Sequence, residues 1–259
     1  MHPTPQHLFI LTGASRGMGL AMARELLAPH RILLCISRRV TPELEDLAQQ
    51  RSAPLTQWTQ DLSAPNAAAQ RLGAWLDQHK TQTLASATLI NNAGVIPRIG
   101  PIDQCPSDEL QNALRVGLEA PMLLSAAFLR ATGHWVTAGW RGPRKVLNIS
   151  SGLGRRPMAA QAPYCAAKAG LDHFTRCSAL DEAQREHGAR LVSLAPGVID
   201  TEMQAQLRAA DPASFPDAQQ FVNLHSQGQL CSPQEAAGRV LAWLDRPDFG
   251  ALPVADVRD

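Results

Sequence analysis

The sequence predicts an α/β fold, a doubly wound parallel sheet of about seven strands with helices on both faces, on three observations. Short apolar runs alternate with longer stretches of helical spacing along the whole chain. The runs are almost continuously apolar, as strands buried on both faces must be. The first run is followed at once by a glycine-bearing turn and then an amphipathic helix.

Taken in order, the strands are expected at Leu8–Leu11, Arg31–Ser37, Leu55–Gln60, Ala87–Ile90, Lys145–Ile149, Ala189–Leu194 and Ala251–Val254. Helices are expected over Met18–Ala28 and residues 43–51, 65–80, 107–131, 163–186 and 232–245. Ser107 before Asp108-Glu109, and Ser232-Pro233, mark helix starts. No linker or repeat divides the 259 residues, so one domain spanning 1–259 is expected. Asp200–Gly228 is polar, helix-prone and strandless. An insertion after a late strand lies near the strands' carboxyl ends, where ligands bind, so a substrate lid is expected at about 200–228.

Composition narrows the function. With 45% hydrophobic and 18% charged residues the chain can bury a full core. A net charge of +1 gives no reason to expect nucleic acid or a membrane surface as partner. No apolar run reaches the roughly 20 residues that span a bilayer. Met1–His7 has no basic flank and does not read as a signal peptide. Five scattered cysteines without a C-x-x-C pair point to reduced thiols and a cytoplasmic setting, and no metal-ligand rhythm appears among the cysteines or histidines.

Thr12-Gly13-Ala14-Ser15-Arg16-Gly17-Met18-Gly19 spaces its glycines as G-x-x-x-G-x-G. Such a turn lets the backbone approach a pyrophosphate at a helix N-terminus; alternatively it simply eases a strand into a helix. About 20 residues on, where an acidic residue would meet a ribose 2′-hydroxyl, stand Ser37-Arg38-Arg39. With Arg16, these arginines favour a 2′-phosphate and hence NADPH; alternatively Arg38 and Arg39 are solvated turn residues. Asp61 and Leu62 then border the adenine, unless Asp61 serves as a turn or cap residue.

Tyr164 and Lys168, at i and i+4, share a helix face, and Tyr164 is the only tyrosine. A nearby ammonium is expected to lower the phenol's pKa and make an acid/base pair for carbonyl reduction. The bland alternative is a packed tyrosine beside a snorkelling lysine. Ser151, 13 residues upstream, either caps a turn or donates to a substrate carbonyl.

Thr12–Gly19, Asn91-Asn92-Ala93-Gly94, Ser151, Tyr164/Lys168 and Pro196-Gly197 occur in the order of the short-chain dehydrogenase/reductase family, which the chain resembles over nearly its whole length. The resemblance implies a seven-stranded Rossmann-type fold, a homodimer or homotetramer, and NADPH/NADP+ with a small carbonyl substrate. It assigns Tyr164 as acid/base, Lys168 to the cofactor ribose, and Ser151 to the substrate carbonyl. It places Asn92, Ala93 and Gly94 beside the cofactor, and Pro196, Gly197, Ile199 and Thr201 at the nicotinamide carboxamide. Gly117, in Arg115-Val116-Gly117-Leu118, replaces the family's usual asparagine, whose carbonyl helps hold a relay water. Asn148–Gly154, Ala195–Gln204 and the tail resemble the sepiapterin and benzil reductase branch, implying reduction of a ketone or vicinal diketone. A 3-oxoacyl or sugar-alcohol oxidoreductase and a non-catalytic NADPH sensor are the rival readings. Met158, Phe215 and Phe221 either line an apolar substrate pocket or pack a core. Asp256 either meets a polar substrate group or is an exposed tail carboxylate.

Overall fold

The computed structural model describes residues 5–79, 81 and 83–259. Met1–Thr4 and Lys80, on which two of the sequence readings fall, lie outside them. Seven strands form one parallel sheet: β1 Gln6–Thr12, β2 Arg31–Ser37, β3 Leu55–Thr59, β4 Leu84–Asn91, β5 Arg144–Ile149, β6 Arg190–Ala195 and β7 Val254–Asp256. Their order is β3-β2-β1-β4-β5-β6-β7, so the chain reverses direction of travel between β1 and β4. The carboxyl ends of the strands beside that reversal form the natural ligand crevice of such a sheet.

The continuous apolar runs have a direct structural reason. Along β1, Leu8 and Ile10 enter the core on one face, while Phe9 and Leu11 enter the core on the other. One core contains α1 (Gly17–Leu26) and α9 (Pro233–Leu244), with Met22, Leu26 and Val240 fully or nearly fully buried. The opposite core receives Leu72 and Leu76 of α3 (Pro65–Asp77) and Leu124 and Phe128 of α5 (Ala120–Thr137). Among the described residues the other α-helices are α2 (Pro42–Gln50), α4 (Ser107–Leu114), α6 (Ala162–Ala183), α7 (Glu202–Arg208) and α8 (Ala218–Ser226). Ser232 and Glu235 close a reciprocal capping box at the start of α9.

Two elements differ most from expectation. The last strand is Val254–Asp256, not Ala251–Val254: pairing with β6 decides it, with Ser193, Leu194 and Ala195 opposite Val254, Ala255 and Asp256. The helix expected over 107–131 is interrupted by a π turn at Arg115–Glu119 and then continues to Thr137. Here the Ala120 N–H reaches back five residues to the Arg115 carbonyl. Pro121 follows, and it has no N–H to offer the Gly117 carbonyl four residues before it. That missing donor gives the turn its physical origin.

The segment after β6 forms α7 and α8 around a separate apolar cluster. Leu207, Phe215, Ala218 and Phe221 are buried together, with Ile96 and Met158 packed against them. Among the described residues, no helix is long and apolar enough to cross a membrane.

Candidate active site

A cleft of about 1120 Å³ runs along the carboxyl ends of the strands and collects most of the residues singled out above. Its first end is built by the turn after β1. The Thr12 hydroxyl accepts the N–H groups of Asn92 (2.9 Å) and Ala93 (3.0 Å), joining the ends of β1 and β4. The Asn92 amide donates to the Thr12 carbonyl at 3.0 Å. Gly13 has φ +71°, a left-handed conformation that glycine adopts without strain. A Cβ on Gly19 would lie 2.1 Å from the Gly13 carbonyl oxygen, so only glycine closes this turn. The α1 N-terminus, without an acidic residue in its first turn, opens into the same cleft with Ser15, Arg16, Gly17 and Met18. Anions are stabilised there by unpaired N–H groups and the helix dipole.

At the end of β2, the Ser37 hydroxyl accepts the Ala14 N–H at 3.0 Å and braces the glycine turn. Arg38 lines the cleft with Asp61 and Leu62; Arg39 is exposed and lies outside the lining. Asp61 accepts the Ser63 N–H at 2.9 Å, so it acts as a turn residue while bordering the cleft. Arg16 lines the same cleft as Arg38, and its guanidinium pairs with Glu202 at the start of α7. Together, a close-approach glycine turn, a free helix N-terminus and an arginine at the β2 end suit a dinucleotide phosphate chain.

Midway along the cleft, Ser151, Tyr164 and Lys168 come together with Asn92, Ala93 and Gly94. Tyr164 and Lys168 stand one turn apart on α6, and the Lys168 Nζ is 5.7 Å from the Tyr164 ring centre. The Ser151 hydroxyl accepts the Leu153 N–H at 3.2 Å and lines the cleft beside the phenol. Lys168 is 4% exposed and donates to the Ile149 carbonyl at 2.8 Å. Burial pushes its pKa down to about 8, against the opposing pull of Asp172. Burial also holds the Tyr164 phenol above its ordinary value, and the nearby Ser151 hydroxyl offsets only part of that. This corrects the expectation of a lowered phenol pKa. The ammonium is directed to the Ile149 carbonyl, so desolvation of the ring environment outweighs it. The phenol is therefore protonated at neutral pH.

Pro196, Gly197, Ile199 and Thr201 also line the cleft, and Gly117 is buried in the π turn, outside that lining. A Cβ on Gly117 would meet the Ala167 side chain at 3.1 Å, one residue before Lys168.

The far end is lined by Met158, Phe221, Leu224 and Asp256. Phe215 is fully buried and stacks on Phe221 at 5.6 Å, so it packs the α7–α8 cluster rather than lining the cleft. Asp256 is buried, not an exposed tail carboxylate, and takes two 2.7 Å bonds from Arg258. Those bonds hold its carboxyl below the usual range. Sequence reasoning missed Gln161 and Gln204, two buried amides that also line the cleft. Gln161 lies three residues before Tyr164, and that proximity was its available signal.

Residues 7–212 match the family model described as short chain dehydrogenase. The chain is 34% identical over 240 residues to benzil reductase ((S)-benzoin forming) of Bacillus cereus, covering 93% of this chain and 94% of that protein. It is 30% identical over 253 residues to the sepiapterin reductase of Bos taurus, covering 93% and 91% respectively. A solved short-chain dehydrogenase/reductase from Burkholderia vietnamiensis, 31% identical, covers 99% of each chain with a TM-score of 0.65.

Proposed function

The chain belongs to the short chain dehydrogenase family, and from that premise we propose that it is an NADPH-dependent carbonyl reductase of the benzil reductase type. The observation that carries this reading is the meeting of Ser151, Tyr164 and Lys168 in the cleft that also holds the glycine turn. NADPH, when bound, supplies the hydride. The chain's own residues do the rest. The glycine turn and α1 N-terminus hold phosphates, and Arg38 offers a planar cation to a 2′-phosphate. Ser151 donates to the substrate carbonyl as negative charge develops on its oxygen. Tyr164, protonated at neutrality, gives its proton to that oxygen. Lys168 binds ribose hydroxyls from the cleft floor and then faces the phenolate with a positive charge. The Gly117 carbonyl, to which Pro121 has no N–H to donate, accepts a relay water.

We read residues 1–259 as one functional domain in which α7 and α8 form a lid, tied to the glycine turn through the Arg16–Glu202 pair. Met158, Phe221 and Leu224 suit an apolar substrate, and the named relatives point to an aromatic ketone or vicinal diketone giving a hydroxy ketone. Assembly as a homodimer or homotetramer, and a cytoplasmic location, belong to the same reading.

The test is NADPH oxidation, followed by absorbance, against benzil, sepiapterin and a 3-oxoacyl thioester. Turnover of benzil above the others supports the reading, and preference for either of the others moves the substrate to that class. Tight NADPH binding without turnover of any ketone favours the sensor. An Arg38→Ala variant is expected to lose NADPH affinity while NADH affinity stays level.

A further inference from the structure

Behind the candidate catalytic groups lies a carboxylate that the mechanism above leaves unused. Asp172 is on α6, one turn beyond Lys168 and two turns beyond Tyr164, and is 1% exposed. Its Oδ1 accepts the hydroxyls of Ser150 at 2.5 Å and Ser193 at 2.6 Å. Its Oδ2 lies 3.4 Å from the Arg155 Nε and has no hydrogen-bond partner. Ser150 and Arg155 belong to the same turn after β5, and they bracket Ser151. Asp172 thus ties the turn that carries Ser151 to the helix that carries Tyr164 and Lys168. Gly154, inside that turn, allows the close approach: a Cβ there would lie 2.9 Å from the Asp172 carboxylate. Arg155 extends the tie outward, donating to the Ala255 carbonyl at 2.7 Å and standing 3.9 Å from Asp256 in β7.

A buried carboxylate with an unsatisfied oxygen is costly to keep, and packing alone does not call for one. We propose that Asp172 is a positioning residue for the reaction: it sets the Ser151 turn against α6 and places a negative charge one helix turn from Lys168. The inference rests on the reading of Ser151, Tyr164 and Lys168 given above.

The other charged and titratable groups around Lys168 are accounted for. Tyr164 and Cys165 share its helix, and Arg155 and Arg156 stand in the turn after β5. Asp256 and Arg258 pair with each other at the end of β7. The loop after β4 presents Gly94. On α4 and the π turn, Asp108, Arg115 and Glu119 are exposed, and Glu109 accepts the Arg98 N–H. Arg190 of β6 points to the far end of its strand, toward the Pro247 carbonyl. Asp172 is the charge that opposes the burial of the Lys168 ammonium.

The test uses the fact that the chain has three lysines, Lys80, Lys145 and Lys168. In protein grown on 13C-lysine, the Lys168 Cε signal, assigned by its loss in Lys168→Met, reports that residue's titration without any substrate. Asp172→Asn keeps an oxygen for Ser150 and Ser193 but removes the charge. It is expected to lower the Lys168 midpoint by about one unit and to reduce kcat roughly 10- to 100-fold, with KM for NADPH within about threefold. Arg155→Gln removes the competing cation, so the Lys168 midpoint is expected to rise. An unchanged midpoint in folded Asp172→Asn overturns the proposal, as does a shifted midpoint with kcat intact. Should Asp172→Asn not fold, Arg155→Gln decides alone, and an unmoved midpoint there overturns it. If the wild-type protein reduces no carbonyl, the functional reading fails; the NMR midpoints still decide whether the Asp172 charge acts on Lys168.

Discussion

Tyr164 and Lys168 show how one helix face acquires opposite protonation tendencies from the same cause. Burial disfavours charge on both, raising the phenol and lowering the ammonium. Removing the phenolic oxygen in Tyr164→Phe is expected to cut kcat by about 10²- to 10⁴-fold. The circular dichroism spectrum should stay unchanged, because the ring still fills its site. Lys168→Met tests the cost of the buried ammonium. Unfolded lysine titrates near 10.5 and folded Lys168 near 8, so the unfolded chain binds more protons between those values. The penalty is complete below about pH 8 and fades as pH rises toward 10.5. Lys168→Met should therefore match or exceed the wild type in urea stability at pH 7, with the advantage shrinking across that window. A constant difference from pH 7 to 10.5 would refute this account.

At the scale of elements, the glycine turn and the π turn are governed by backbone geometry. A Gly19→Ala methyl has no place to go, facing the Gly13 carbonyl and the Asn92 amide at 2.1 and 2.5 Å. The variant is expected to lose several kcal/mol of stability, as strain forced into a close-packed site does, and to bind NADPH weakly by fluorescence titration. Gly117→Asn meets a softer obstacle, the Ala167 Cβ at 3.1 Å. Its expected effect is a displacement of α6 next to Lys168, seen as lower kcat with a stability change of about 1 kcal/mol. Gain of activity would mean that a side chain at 117 improves the relay. The glycine turn was legible because its residue types are required by the backbone itself. The π turn was legible in principle, through Pro121, but the apolar spacing continues through it and masked the break. The last strand was misplaced because three residues at a sheet edge carry too little pattern; register against β6 settles it.

At the scale of the molecule, two large cores clamp the sheet, while α7 and α8 depend on a small cluster of their own. Elements with few buried contacts open at lower free energy than the body that carries them. Phe215→Ala is expected to cost about 3–5 kcal/mol in that cluster. Hydrogen exchange should then accelerate over 202–226 with the strands protected as before, and KM for the ketone should rise more than kcat falls. Exchange rising equally in β1 and β4 would show that the cluster belongs to the global core.

The sequence alone determined the parallel α/β architecture, the glycine turn and the Ser151, Tyr164, Lys168 set, because each depends on local periodicity or on a residue type with few substitutes. Tertiary structure alone decided that Arg16 pairs with Glu202, that Phe215 packs inward, and that Asp172 braces Ser151 against α6. These outcomes join residues far apart in the chain. A polar side chain's partner is chosen by which neighbours the fold brings within about 3 Å, and spacing along the sequence carries no record of that distance.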